Sequence, residues 1–121
     1  LQSNFSVCQL EPGAPLPAWA DQGQLLAVTR TTEELSIVAE SNRVPKNVHA
    51  EHGWQALKVA GPLDFSLVGI LASLATTLAD AGVSIFAIST FNTDYLLVKA
   101  QQLDEAVAAL QRAGHEVLAG R

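Results

Sequence analysis

GVSIFAISTFNTDYLLVKA, residues 82 to 100, decides how this chain folds. Ile85 to Thr90 and Tyr95 to Lys99 are rich in β-branched and aromatic residues, and Phe91-Asn92-Thr93-Asp94 between them has the turn formers needed to join them. The stretch therefore reads as two strands joined by a polar four-residue bend, a hairpin. Paired backbone on both sides holds the bend, and Asp94 is the acidic group in the chain expected to do chemistry.

Upstream, Leu67, Ile70, Leu71, Leu74 and Leu78 recur at spacings of three and four, which predicts a helix from about Ser66 to Ala81 with one apolar face. Gly82 is placed to stop it as a left-handed cap. The other side of this helix carries Gly69, Ala72, Ser73, Thr76 and Thr77, small residues that allow close approach by another helix or subunit. Trp54 to Ala60 reads as a strand ended by Gly61-Pro62, because proline lacks the ladder donor. Downstream, Leu103, Val107 and Leu110 mark a second helix with Asp104 and Glu105 in its first turn, Arg112 in its last and Gly114 beyond it. His115 to Leu118 reads as a closing strand. The order β-α-β-β-α-β predicts an α+β, ferredoxin-like sandwich with helices on one face of an antiparallel sheet.

The first third of the chain reads as strands and turns. Phe5 and Val7 alternate with Ser6 and Cys8 in a strand over Phe5 to Leu10, and Pro12, Pro15 and Pro17 then forbid a long helix. Pro17 to Ala20 can make one short turn with Trp19 tucked beneath the sheet. Leu25 to Arg30 and Leu35 to Ala39 read as a second hairpin about Thr31-Thr32-Glu33-Glu34. Laying Leu26 to Glu40 over Phe86 to Ala100 without a gap puts Ala27 on Ala87, Val38 on Val98 and Glu34 on Asp94, which reads as an internal duplication. Glu40 to Gly53 is polar and reads as the connector between the copies.

Composition sets bounds. At 121 residues the chain makes one or two small domains, and with 49% apolar and 16% charged residues it is not disordered and has apolar surface to give to a subunit interface. A net charge of −5 without a basic stripe argues against nucleic acid or an anionic membrane as partner. Cys8 is the only cysteine, so no internal disulfide forms, in keeping with a reducing cytoplasm. No apolar run reaches spanning length and no leader pattern opens the chain, so it is expected to be soluble and cytoplasmic. It holds no methionine, so the natural start is expected to be missing or replaced.

Two places invite a ligand. Gly61-Pro62-Leu63-Asp64-Phe65-Ser66 brings tight backbone to a helix N-terminus, where free amides either hold a carboxylate or are capped from within by Asp64 or Ser66. Asp94, with the hydroxyls of Ser89, Thr90 and Thr93 nearby, either accepts charge-assisted bonds from an ammonium or guanidinium or caps its own turn. His49 and His52 flank Glu51 without a third ligand at metal-site spacing and read as solvated loop histidines, so neither metal nor cofactor is expected. The loop after Val59 lacks the arginine cradle of an acylphosphatase-like enzyme, no serine, histidine and acid cluster suggests a nucleophile, and the strands lack the aromatics of an RNA-binding sheet. No turnover is expected.

Gly61-Pro62-Leu63, Ile88-Ser89-Thr90-Phe91 and the following Thr93-Asp94 resemble the ACT domain in its small tandem form, as in stand-alone bacterial ACT proteins and the animal CASTOR arginine sensors. The resemblance covers roughly residues 54 to 118. It implies tandem ACT units, an abbreviated one over 1–50 and a complete one over 51–121. It further implies a regulatory protein that binds a free amino acid between ACT units. Carried over residue by residue, the ligand would be held by Gly61, Leu63, Asp64, Phe65 and Ser66 in the loop. Val83, Ser84 and Ile85 at the strand entrance and Thr90, Phe91 and Asp94 at the bend complete the set. With one complete unit per chain the interface would come from a homodimer, and the acids around the loop leave the identity of the amino acid open. The alternative is a dimerisation module whose ligand site is vestigial.

Overall fold

The computed structural model of the chain describes residues 3–59 and 69–115. The chain divides into two compact units, one over Ser3–Trp54 and the other beginning at Gln55.

In the first unit, strand β1 (Asn4–Leu10) pairs antiparallel with β3 (Leu35–Glu40), which pairs antiparallel with β2 (Ala27–Arg30), giving the order β2-β3-β1. The alternation in β1 suggests Phe5 and Val7 as the inward face, yet it is Cys8, from the other face, that joins Leu35, Ile37 and Ala39 in the core of this unit, with Leu10 against it. Phe5 is buried as well. β1 is thus covered on both faces, and period-two alternation marks inside from outside only where one face meets water. Trp19 packs against the same cluster from the short turn closed by Ala20 N–H to Pro17 O (3.0 Å), as the prolines suggest. Ser6 is wholly buried, and its hydroxyl lies 2.7 Å from both Ser41 Oγ and His52 Nδ1, which meets its hydrogen-bonding needs.

Strand β4 (Ala50–Lys58) begins four residues before the predicted start at Trp54, taking in Glu51 and His52. Those residues read as connector because they are polar, but a strand needs one partnered face, and His52 finds its partner in Ser6. Ahead of it the connector makes a single 3-10 turn, Ser41–Arg43.

The second unit continues with α1 (Ile70–Asp80), β5 (Ile85–Ser89), β6 (Asp94–Lys99), a 3-10 turn (Ala100–Gln102) and α2 (Leu103–Arg112), and its strands are ordered β4-β6-β5. Leu74 and Leu78 from α1 and Ala106 and Leu110 from α2 close over Leu57, Leu96 and Val98 from the strands, with Leu78 and Val98 wholly buried. This is the ferredoxin-like α+β layering the periodicity predicts. Gly82 (φ +77°) ends α1 in the left-handed region, with Val83 N–H reaching back to Leu78 O at 2.9 Å. Gly69, expected within the helix, instead stands at its N-cap with φ +90°, a conformation a helix interior does not contain. Residues 66–68, the closing strand beyond His115 and Leu67 of the predicted face lie outside the described residues.

Cys8 is 1% exposed and burial pushes its thiol above its ordinary pKa. The native protein at pH 8 is therefore expected to leave Cys8 unmodified by a disulfide-exchange reagent for hours, with one equivalent reacting at once in denaturant. Fast labelling without denaturant would show that the first unit opens readily.

Candidate functional site

The β5–β6 hairpin closes on hydroxyl and main-chain bonds within Thr90–Thr93. Thr90 N–H donates to Thr93 O (2.8 Å), Thr90 Oγ1 donates to the same oxygen (3.1 Å), and Thr93 N–H donates to Thr90 Oγ1 (3.2 Å). Thr90 is thus the residue that caps the bend, the task an aspartate in a turn often takes. Asp94 stands one place later, as the first residue of β6 and directly opposite Ser89. Asp94 as a residue is half-buried, and its carboxylate takes Ser89 Oγ–H onto Oδ1 at 2.6 Å in an exposed bond.

The bend is tied to the end of β4. Val59 N–H donates to Asp94 O (2.9 Å), and Thr93 Oγ1, almost fully buried, donates to Val59 O (2.7 Å). Val59 is the last described residue before the stretch that carries Gly61, Leu63, Asp64, Phe65 and Ser66, which lies outside the described residues. The hydroxyls of Ser89 and Thr90, expected to face a ligand, commit their protons to the hairpin itself, and that of Thr93 commits its proton to Val59 O. Thr90 and Phe91 are exposed, Phe91 to 81%.

Val83, Ser84 and Ile85 sit elsewhere. They enter β5, whereas the bend leaves it, and five residues of strand separate the two groups by about 17 Å. Val83 is buried in the core, Ser84 is exposed and Ile85 is half-buried opposite Val98. One copy of this unit therefore brings Asp94, Ser89, Thr93 and Val59 together and leaves the strand entrance at the far end.

The same bend occurs in the first unit. Thr31 N–H donates to Glu34 O (2.9 Å), and Thr31 Oγ1 accepts from Glu34 N–H (3.2 Å). β3 and the 3-10 turn after it map onto β6 and its 3-10 turn by adding 59 to each number, as do Thr31 and Thr90. Matching side chains without a gap suggests an offset of 60, which places Glu34 on Asp94, but hydrogen bonding sets 59. Leu35 then occupies the place of Asp94, and Arg30 that of Ser89. A shift of one residue exchanges the two faces of a strand, so similarity of side chains alone misassigns the acid.

In the first unit an open cleft of about 380 Å³ is lined by Gln9, Leu10, Glu11, Pro12, Glu33 and His49. Among the described residues no three His, Cys, Asp or Glu side chains gather as a metal site.

A family model described as ACT domain matches residues 49–112, and a second model, of an N-terminal domain, matches residues 3–47. The human cytosolic arginine sensor for mTORC1 subunit 1 is 40% identical over 60 residues, covering 49% of this chain and 18% of that protein. The matched stretch thus spans less than a fifth of the length of that relative. A protein of Agobacterium tumefaciens with a crystal structure is 38% identical, with a TM-score of 0.91 over 96% of this chain and 87% of its own. An aspartate kinase of Clostridium acetobutylicum, an allosteric enzyme, superposes with a TM-score of 0.67 over 93% of this chain and 33% of its own, at 14% identity, a likeness of fold alone.

Thr93→Val keeps the shape of the side chain and deletes its hydrogen bond to Val59 O. It is expected to lower unfolding free energy by about 1–2 kcal/mol in urea titrations. A loss below about 0.3 kcal/mol would mean that this bond does not hold the bend.

Proposed function

We propose, from the premise that this chain belongs to the ACT domain family, that it is a regulatory protein binding a free amino acid at Asp94 and the adjoining loop. The observation that carries the reading is the pairing of Asp94 with Val59, two residues ahead of Gly61. A carboxylate that does not cap its own turn belongs to a residue bonded to Val59, from which the chain runs on to the segment expected to offer free amides. The ligand's cationic group would meet Asp94, and its carboxylate would meet the amides of Gly61 to Ser66. The relative named as an arginine sensor supports an amino acid as the ligand class, and the acid at position 94 supports a ligand carrying a cation. We read the protein as a cytoplasmic binding module without turnover.

The pocket needs a second copy. Among the described strands of the second unit β5 is the outer one of the order β4-β6-β5, and the dimer we propose pairs its outer edge with the same edge of another molecule. Antiparallel pairing sets the entrance of one β5 beside the exit of the other. Val83, Ser84 and Ile85 of the second copy would then approach Thr90, Phe91 and Asp94 of the first, closing the distance that one chain leaves. Two symmetric sites result per dimer. The first unit, as an abbreviated ACT-like unit over residues 1–50, carries Leu35 in place of the acid and would contribute no second Asp94-type site.

A panel of the twenty amino acids read by thermal unfolding is expected to show stabilisation by at least one, by about 2.7 kcal/mol at a hundredfold excess over Kd. Asp94→Asn is expected to abolish that shift, and an unchanged shift would remove Asp94 from the site. Light scattering is expected to give the mass of a dimer, and a monomer at ligand-saturating concentration would sink the shared pocket. A stable dimer with a flat response to all twenty would favour the alternative, a dimerisation module with a vestigial site, which the exposed Ala72, Ser73 and Thr76 of α1 also suit.

A further inference from the structure

We infer that Ser89 is the positioning residue of the Asp94 site and that the Ser89–Asp94 pair admits only a proton-donating cation. The inference rests on the reading of Asp94 as the ligand carboxylate and adds to it the group that orients the acid and the chemistry the orientation selects.

Ser89 and Asp94 face one another across the first pair of the hairpin, where side chains of this size meet directly. The 2.6 Å separation of Ser89 Oγ and Asp94 Oδ1 is that of a hydroxyl donating to an ionised carboxylate. One carboxylate oxygen is thereby engaged, and Oδ2 accepts no hydrogen bond among the described residues. A serine hydroxyl has one proton, and Ser89 gives its proton to Asp94. Thr90 gives its own to Thr93 O, and Thr93 gives its own to Val59 O. The hydroxyl bonded to the carboxylate therefore has only lone pairs left to offer. A carboxylate or carbonyl arriving here meets acceptors and a negative charge, whereas an ammonium or guanidinium meets acceptors for its N–H groups.

The first unit supplies an internal control. Its bend closes through Thr31 with the same bonds as the bend at Thr90, yet it has Arg30 and Leu35 where the second unit has Ser89 and Asp94. The turn does not need a serine and an aspartate at these places, so the pair is free to serve a ligand. Without the Ser89 proton the Asp94 carboxylate would rotate, and ordering it would be charged to each binding event.

The test is calorimetric titration of the full chain with L-arginine, L-lysine and L-serine, and with glutarate as a dicarboxylate lacking a cation. Ser89→Ala is expected to weaken the tightest of the three amino acids about tenfold while leaving the unfolding midpoint of the free protein unchanged, and Ser89→Thr to restore affinity to within about twofold. Glutarate is expected not to bind. Wild-type affinity in Ser89→Ala, with binding abolished in Asp94→Asn, would overturn the role of Ser89 and leave the Asp94 reading standing. Wild-type affinity in Asp94→Asn would overturn both. Glutarate binding as tightly as the amino acids would overturn the selection for a cation, and a fall in unfolding midpoint that accounts for the lost affinity would make Ser89 structural.

Discussion

The hydroxyl of Thr93 reaching Val59 O at 2.7 Å is the constraint on which the arrangement of the second unit turns. It fastens the tip of one hairpin to the end of the strand beside it, and the main-chain bond from Val59 to Asp94 doubles the link. A bend joined only to its own two strands would fray as loop tips do. Here the bend is held from the side by a residue that is itself almost fully buried, so the carboxylate after it inherits a fixed place. Local polar bonding, rather than apolar burial, sets the geometry of the site, while the core of Leu57, Leu78, Leu96 and Val98 keeps the strands beneath it in register.

The two bends show how a fold can keep a turn and change what it carries. Thr31 and Thr90 do the same structural work in their own units, each accepting a backbone amide three residues on and closing a four-residue connection. Because threonine satisfies the turn, the next position is released from it. Leu35 uses that freedom to enter the core of the first unit, and Asp94 uses it to present an acid. Repetition of backbone with divergence of side chains is what an internal duplication leaves when the two copies come to serve different ends.

The separation of the strand entrance from the bend bears on assembly. Val83 is a core residue of its own unit and Ser84 is exposed, so in the proposed pocket they would act through backbone and from a neighbouring molecule. A free strand edge is a hazard in a monomer and a resource in a symmetric dimer. An acidic chain with few charged residues has little surface to offer polyanions.

Periodicity and turn chemistry alone determined the α+β layering, both hairpins, the cap at Gly82 and α2 with its charged ends, because these depend on neighbours three or four residues apart or on the next strand along. The family resemblance was legible as well, since it lies in contiguous motifs around Gly61-Pro62 and Ser89 to Asp94. Tertiary structure alone decided three things. It started β4 at Ala50, because the partner of His52 is Ser6, far back in the sequence. It set the repeat at 59 rather than 60, because register follows hydrogen bonds and not side-chain likeness. It gave the protons of Ser89, Thr90 and Thr93 to acceptors of the chain itself, because which acceptor a hydroxyl finds depends on what the fold sets beside it, and composition carries no record of that choice.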